Sequence, residues 1–370
     1  MHVQVVDPSA YTPPYDHALC AALARAGVDV ELVTSRFLYG PVPREHGYRV
    51  SERFYRRSTR RGLASSLRMP LKLAEHAPDM LRYRRAARRA DVVHYQWLTV
   101  QPLDVALLAP ARPRVLTAHD VLPREPRRGQ IAATRRLVRK MDAVVVHSQR
   151  GASRLRDELD VEAKRVHVIP HGAFDYLTRL PDEVSLPGEL AAVSGPVILC
   201  FGLVRPYKGT DVLLEAFRDV RGAELWVVGM PRMDMAPLRR LAERAPGPVR
   251  FVERFVTDPE LPAFFRRADI VVLPYREIDQ SGVLYTALAF AKPLVLSRVG
   301  GFVEVGERHQ AARLVSPGDP LSLAGALNGL LLDPEARARL ADASAAAAAG
   351  PYSWDTVAER TLALYRELLG

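Results

Sequence analysis

The 370-residue chain alternates short apolar runs with helical segments from end to end. That rhythm limits the fold more than any single motif does. In the first half the runs are Val3 to Val6, Val28 to Thr34, Val92 to Trp97, Val115 to Ala118, Ala143 to His147 and Val166 to Ile169. In the second they are Val197 to Phe201, Leu225 to Val228, Val249 to Val252, Ile270 to Leu273, Pro293 to Ser297 and Ala312 to Val315. Short runs that are apolar at nearly every position suit strands buried on both faces of a parallel sheet. Helical spacing in Asp16 to Ala26, Val105 to Leu108, Ala132 to Lys140 and Ala152 to Leu159 supplies crossovers between them. The fold class is α/β. The length exceeds one comfortable core, and Tyr176 to Gly195, rich in Pro, Gly, Asp and Glu, reads as a linker. Two doubly wound, Rossmann-like domains facing a cleft are therefore expected, over residues 1–185 and 190–351.

Composition removes several classes. Hydrophobic residues make up 48% and charged residues 25%, so no large segment is disordered by composition alone. Cys20 and Cys200 lie far apart in apolar stretches, which argues against a disulfide framework and for a reducing cytoplasm. No apolar run approaches the ~18 residues that span a bilayer, and Met1 leads into a strand without a signal-peptide pattern. A cytoplasmic protein is expected, with contact to the inner face of the plasma membrane left open. The formal charge of +10 is concentrated between Arg44 and Arg89, where 14 Arg or Lys face 4 Asp or Glu. The rest of the chain is formally neutral, which does not favour a nucleic-acid-binding protein.

Chemistry concentrates after the run Val197 to Phe201. Thr210 or Asp211 can cap a helix whose apolar stripe is Val212, Leu213, Ala216 and Phe217, and between strand and helix lie Arg205 and Lys208. Two cations beside a helix N-terminus, which is already partly positive, suit a missing anion. Gly209 permits close approach, and a diphosphate fits the set. A solvated turn with both cations facing water is the plainer reading.

A second constellation, PYREIDQSGVLYTALAFAKPLVLSRVGGFVEVGE, follows the run Ile270 to Leu273. Gln280, Ser281 and Gly282 stand at a helix N-terminus with backbone donors, and Glu277 and Asp279 can accept from hydroxyl groups of the kind sugars present. A polar turn capping a buried helix is the alternative. Neither G-x-G-x-x-G after the first strand nor a P-loop pattern occurs, so ordinary dinucleotide binding and P-loop chemistry lose support.

With both segments in view the chain resembles glycosyltransferase family 4, retaining enzymes of the GT-B fold. FGLVRPYKGTDVLLEAF is similar to that family's diphosphate loop and helix, ADIVVLPY to its strand before the sugar site, and TALAFAKPLVLSRVGGFVEV to its signature. VIPHGAFD resembles the segment closing the N-terminal domain, and YSWDTVAERTLALYRELL the terminal helix, here 352–370, that crosses back onto it.

The resemblance implies transfer of a sugar from a nucleotide-diphosphate donor held by the C-terminal domain, with retention at the anomeric carbon. No cofactor and no metal are implied, and no Asp-x-Asp ligand triplet occurs. Arg205 and Lys208 would neutralise the leaving diphosphate. Gly202, Gly209, Glu277, Asp279, Gln280, Ser281, Gly282, Thr286 and Glu304 form the implied donor set. Two departures stand out. Leu203 replaces an Arg usual after the glycine, and the family's spaced glutamates would fall at Ile278 and Thr286. Thr286 is then left for a ribose hydroxyl, and Glu277, Asp279 or Gln280 for the sugar.

In the N-terminal domain His119 in LTAHD and His94 in VVHYQWL end strands on the acceptor side, His119 as the group that polarises or positions the acceptor hydroxyl. His147 and His171 are read as structural. The stiff loop PSAYTPPY offers Tyr11 and Tyr15, which can stack on an acceptor ring or pack the domain edge. The acceptor is expected to be a glycan, a lipid-linked sugar or a small molecule, and the basic stretch can rest on an anionic membrane. The rival enzyme readings are a sugar-nucleotide epimerase and a phosphorylase.

Overall fold

The structure is a computed structural model and describes residues 1–43, 46–122 and 128–370. Arg44, where the basic stretch begins, lies outside the described residues. The chain divides into two compact units, Met1–Gly172 with Trp354–Gly370, and Ala173–Ser353.

The first unit is built on a sheet of seven strands: β1 (His2–Asp7), β2 (Asp29–Ser35), β3 (Arg49–Phe54), β4 (Val92–Tyr95), β5 (Arg114–Thr117), β6 (Ala143–Val146) and β7 (Val166–Val168). Their order is β3-β2-β1-β4-β5-β6-β7, with every pair parallel. β4, β5 and β6 are buried throughout, as expected for strands covered on both faces. The edge strand β3 has no apolar run, because RVSERF keeps charges at an exposed edge and buries only Phe54. The long helix Ser65–Ala86, in the basic stretch, buries His76, Asp79, Met80 and Tyr83.

The second unit repeats the plan with β8 (Val197–Phe201), β9 (Glu224–Val228), β10 (Val249–Val252), β11 (Ile270–Leu273), β12 (Leu294–Ser297) and β13 (Arg313–Val315). The order is β10-β9-β8-β11-β12-β13, again all parallel. Its core joins Leu213, Phe217, Leu225 and Ile270 with Leu327, all fully buried, and full burial of each such side chain contributes ~1.5–3 kcal/mol. In both sheets the strand order reverses beside the first strand, between β1 and β4 and between β8 and β11. Such a switch point leaves a crevice at the carboxyl ends of the strands.

The segment Tyr176 to Gly195, expected as a linker, is part of the second unit. Tyr176 donates to Asp258 at 2.7 Å, Val184 N–H to Pro259 O at 2.7 Å, and Leu177 and Leu190 are buried. Its few apolar residues are spaced to fasten it at intervals, a pattern without a helical or strand period. Among the described residues no helix is long and apolar enough to cross a membrane.

The terminal helix Trp354–Leu369 packs on helix Pro13–Arg25 of the first unit, where Arg25 pairs with Asp355 at 2.7 Å. Trp354 lies flat against Gly172, and a Cβ there would sit 2.3 Å from the indole. An indole is too bulky to yield cheaply, and overpacking of this kind costs ~1–3 kcal/mol. Gly172→Ala should therefore lower the urea midpoint of the first unit and expose the terminal helix to limited proteolysis. Wild-type stability and protection would show that Trp354 is not held in this way.

Candidate active site

In the second unit the functional loops leave β8 and β11 at the switch point. Gly202, with φ +108°, follows β8 and donates to Val228 O at 2.9 Å, while Gly229, with φ +147°, brings its backbone against Gly202 O. A Cβ on Gly229 would lie 2.0 Å from that oxygen. Arg205 is extended and half-buried, and its buried Nε has no hydrogen-bond partner among the described residues. A tight turn, Pro206–Lys208, then delivers Gly209, where a Cβ would collide with Pro274 O at 2.0 Å. Helix Thr210–Phe217 starts there, so two loops are locked backbone to backbone.

Lys208 turns back over the strand end. Its Nζ rests 4.9 Å from the centre of the Tyr275 ring and close above Gly202, where a Cβ would approach it to 2.9 Å. A side chain at 202 would displace the ammonium. Arg276 ties the two loops with a fork onto Asp211, at 2.8 and 2.7 Å, and donates its backbone N–H to Tyr207 O at 2.8 Å. Burial raises the Asp211 carboxyl, but the Arg276 fork outweighs it and holds the group below the usual carboxylate range. Asp211 is named in the sequence only as a helix-cap candidate and Arg276 not at all, since the pairing joins positions 65 apart.

After β11, Ser281 stands at the N-cap position of helix Gly282–Ala289 without a side-chain capping bond, and its Oγ lies 3.3 Å from the Tyr275 hydroxyl. Gln280 Oε1 accepts from Tyr285 at 2.8 Å, and the Gln280 amide lies against Gly301. Gly300, at φ +49°, passes so near Ile278 O that a Cβ would reach 1.8 Å. Gly300 and Gly301 thus form a close-approach loop. Asp279 is buried and its carbonyl accepts from Gly301 N at 3.2 Å, Glu277 is exposed, and Glu304 is half-buried in the first turn of helix Phe302–Glu307. Thr286 departs from expectation. It is 4% exposed and donates to Gly282 O at 3.1 Å, the back-bond of a helix-interior threonine, so its hydroxyl is not offered to a ribose.

In the first unit Asp7, at the end of β1, builds the PSAYTPPY loop by accepting from the backbone N–H groups of Ser9, Tyr11 and Thr12. Tyr11 is 61% exposed and lies 4.4 Å from Trp97, ring to ring. Tyr15 is instead buried among His119, His171 and Trp354, because it is on the inward face of the following helix, and cannot stack on a ligand. His94 is likewise interior, with Nδ1 2.6 Å from the Tyr365 hydroxyl and Nε2 2.7 Å from Thr117 Oγ1, and it anchors the terminal helix.

His119 stacks on Trp97 at 5.0 Å. His119 Nε2 lies 3.1 Å from the Gln96 amide, His119 Nδ1 3.1 Å from His147 Nε2, and His147 Nδ1 3.0 Å from Ile169 O. A carbonyl only accepts, so His147 Nδ1 carries its proton and Nε2 accepts from His119 Nδ1. His119 Nε2 then accepts from Gln96. That orientation of the amide also pairs its NH2, which is otherwise buried without a partner among the described residues. Both rings are neutral in this arrangement. Burial, with His147 beside it, holds His119 well below the ordinary histidine range. His147, read as structural, is thus the orienting partner of His119.

Residues 15–173 match the family model for Glycosyltransferase Family 4 and residues 195–333 the one for Glycosyl transferases group 1. Over 304 residues the chain is 30% identical to the D-inositol 3-phosphate glycosyltransferase of Xylanimonas cellulosilytica, covering 75% of this chain and 72% of that one. The chain belongs to glycosyltransferase family 4. A second relative of this family 4 member is the GDP-mannose:glycolipid 4-beta-D-mannosyltransferase of Xanthomonas campestris pv. campestris, 30% identical over 230 residues. That match covers 56% of this chain and spans 61% of the Xanthomonas enzyme's length. Among solved structures, Anabaena HepE in complex with UDP and glucose superposes with a TM-score of 0.76 at 19% identity, covering 100% of both chains. The fold is GT-B.

Burial depresses His94 to about 3 and His147 to about 4. A histidine held neutral in the fold takes up its proton on unfolding, so its contribution to stability is complete above about pH 6.5 and is lost as pH falls below that. Imidazole resonances of both residues should stay in the neutral position down to pH 5 in an NMR titration. A midpoint near 6.5 for His147 would break the proton order assigned to His119.

Proposed function

We propose that the chain moves a sugar from a nucleoside-diphosphate donor, bound by the second unit, to a hydroxyl of a glycan, glycolipid or small-molecule acceptor bound by the first. The observation that carries this is the pair of cations on the loop after β8: Lys208 Nζ above the bare backbone of Gly202, and Arg205, whose buried Nε has no hydrogen-bond partner among the described residues. An unpaired buried guanidinium donor is costly and calls for an anion. HepE, solved with UDP-glucose, and the Xanthomonas enzyme, named for GDP-mannose, support a nucleotide-sugar donor.

The reaction proposed is retaining. The bond from the anomeric carbon to the diphosphate oxygen breaks, the acceptor oxygen bonds to the same face, and the acceptor proton passes to the leaving phosphate. Arg205 and Lys208 stabilise the charge that develops on that phosphate, an interaction stronger in the transition state than in the ground state. These fixed cations fill the role a metal has elsewhere, so no metal is part of the proposal. His119, whose ring nitrogens are both engaged, positions the acceptor and is not the base.

Each charge-assisted contact contributes ~1.5–3 kcal/mol, so Arg205→Ala and Lys208→Ala should each lower turnover by about one to two decades with little loss of fold. Transfer assayed with UDP- and GDP-sugars in EDTA should persist, with the α-anomeric product from an α-linked donor. Normal turnover in both variants would remove the diphosphate assignment. Donor consumption without an acceptor would point to an epimerase.

The basic stretch supports a peripheral membrane location at the inner face of the plasma membrane. Leu67, Met69, Leu73 and Leu81 are exposed on helix Ser65–Ala86, and Arg56, Arg57, Arg60 and Arg61 are exposed just before it. Cations near an anionic surface contribute ~1 kcal/mol each. Vesicle co-sedimentation should require anionic lipid, weaken with salt, and fall when the four arginines become Ser. Equal recovery on neutral vesicles would rule the surface out.

A further inference from the structure

Three consecutive residues after β11 take hold of the turn that carries Lys208. Pro274 O lies where a Cβ on Gly209 would come to 2.0 Å, so backbone meets backbone there. Arg276 grips the backbone of the turn, its N–H donating to Tyr207 O at 2.8 Å and its guanidinium to Pro206 O at 2.9 Å. Tyr275, between them, meets the side chain: its ring centre lies 4.9 Å from Lys208 Nζ.

The Tyr275 ring is itself held. It is fully buried, with the Phe302 ring 5.3 Å away, Tyr207 edge-on at 6.2 Å, and its hydroxyl 3.3 Å from Ser281 Oγ. A lysine ammonium rides on a flexible four-carbon stem, so its place is fixed by what it rests on. An aromatic face attracts the ammonium through the ring quadrupole, yet takes up none of its three N–H donors and none of its charge. A carboxylate in the same place would neutralise it. Such a bed holds a cation still without quenching it, which is the condition for meeting an anion that forms only during reaction.

We propose that Tyr275 is the positioning residue for Lys208, its ring fixing where the ammonium meets the leaving phosphate oxygens. The phosphate in that statement rests on the proposed function; the contact between ring and ammonium does not. The aromatic ring is the requirement, and the hydroxyl is secondary.

The first arm of the test needs no substrate. Reductive methylation with 13C-formaldehyde tags lysine amines and keeps their charge. In NMR spectra of the full chain the Lys208 methyl signal, identified by its absence from Lys208→Arg, should lie upfield of that of exposed Lys164 through the ring current. Tyr275→Phe should keep that shift, and Tyr275→Met, which fills the space without a ring, should abolish it. Lys72, 4.7 Å from the Tyr55 ring, should keep its own shift in both variants.

The second arm is turnover with UDP- and GDP-sugars. Tyr275→Met should lower kcat about tenfold with donor KM changed by no more than about twofold, and Tyr275→Phe should recover most of that loss. The cost of Tyr275→Met should vanish in a Lys208→Ala background and persist in an Arg205→Ala background, whereas a general lesion of the fold would act equally in both. An unshifted Lys208 methyl in the wild-type chain, a Phe variant as impaired as the Met variant, or the same Tyr275→Met cost with and without Lys208 would each overturn the proposal. Normal turnover of Lys208→Ala beside a ring-shifted Lys208 in the wild type would instead remove the diphosphate assignment, so the two failures are told apart.

Discussion

The second unit depends on three places where one backbone touches another with no side chain between. Gly229 against Gly202 closes the end of β8 on β9, Gly209 against Pro274 O locks the β8 loop to the β11 loop, and Gly300 against Ile278 O seats the following turn. At each the φ angle is positive and a Cβ would overlap an oxygen, so both the conformation and the space select glycine. With the loops this close, Lys208 can reach over Gly202 while its own turn stays short, and the Arg276 fork on Asp211 keeps the two loops in register.

The two-sheet plan was legible because strands of a parallel sheet are apolar on both faces, and the second-half runs match β8 to β13 to within a residue or so. β3 was not, since an edge strand rich in charge has no apolar run to find. The linker at Tyr176 to Gly195 was misplaced for a related reason: isolated anchors such as Leu177 and Leu190 leave no period.

Within the candidate site, legibility followed how local each role is. Lys208, Arg205 and Gly209 act within one turn and could be picked from a short string. Tyr15, His94 and Thr286 could not be judged that way, because what decides them is which face of an element is covered. His94 meets Tyr365 across 271 positions, and Tyr15 is enclosed by His119, His147, His171 and Trp354, all far along the chain. The hydrogen-bonded carboxyl pair Asp7 and Asp16 was equally hidden, since it forms only when a strand end and a helix start converge and bury both groups.

The terminal helix has a consequence for how the protein is made. The first unit is discontinuous: residues Trp354–Gly370 complete it, yet they leave the ribosome after the whole of the second unit. At ~5–20 residues per second the first sheet waits on the order of 10 to 40 s with the pocket for Trp354 against Gly172 unfilled and His94 without Tyr365. The second unit, contiguous in the chain, can finish folding during that interval. Synthesis therefore reverses the order of the sequence, the later-encoded unit maturing before the earlier one.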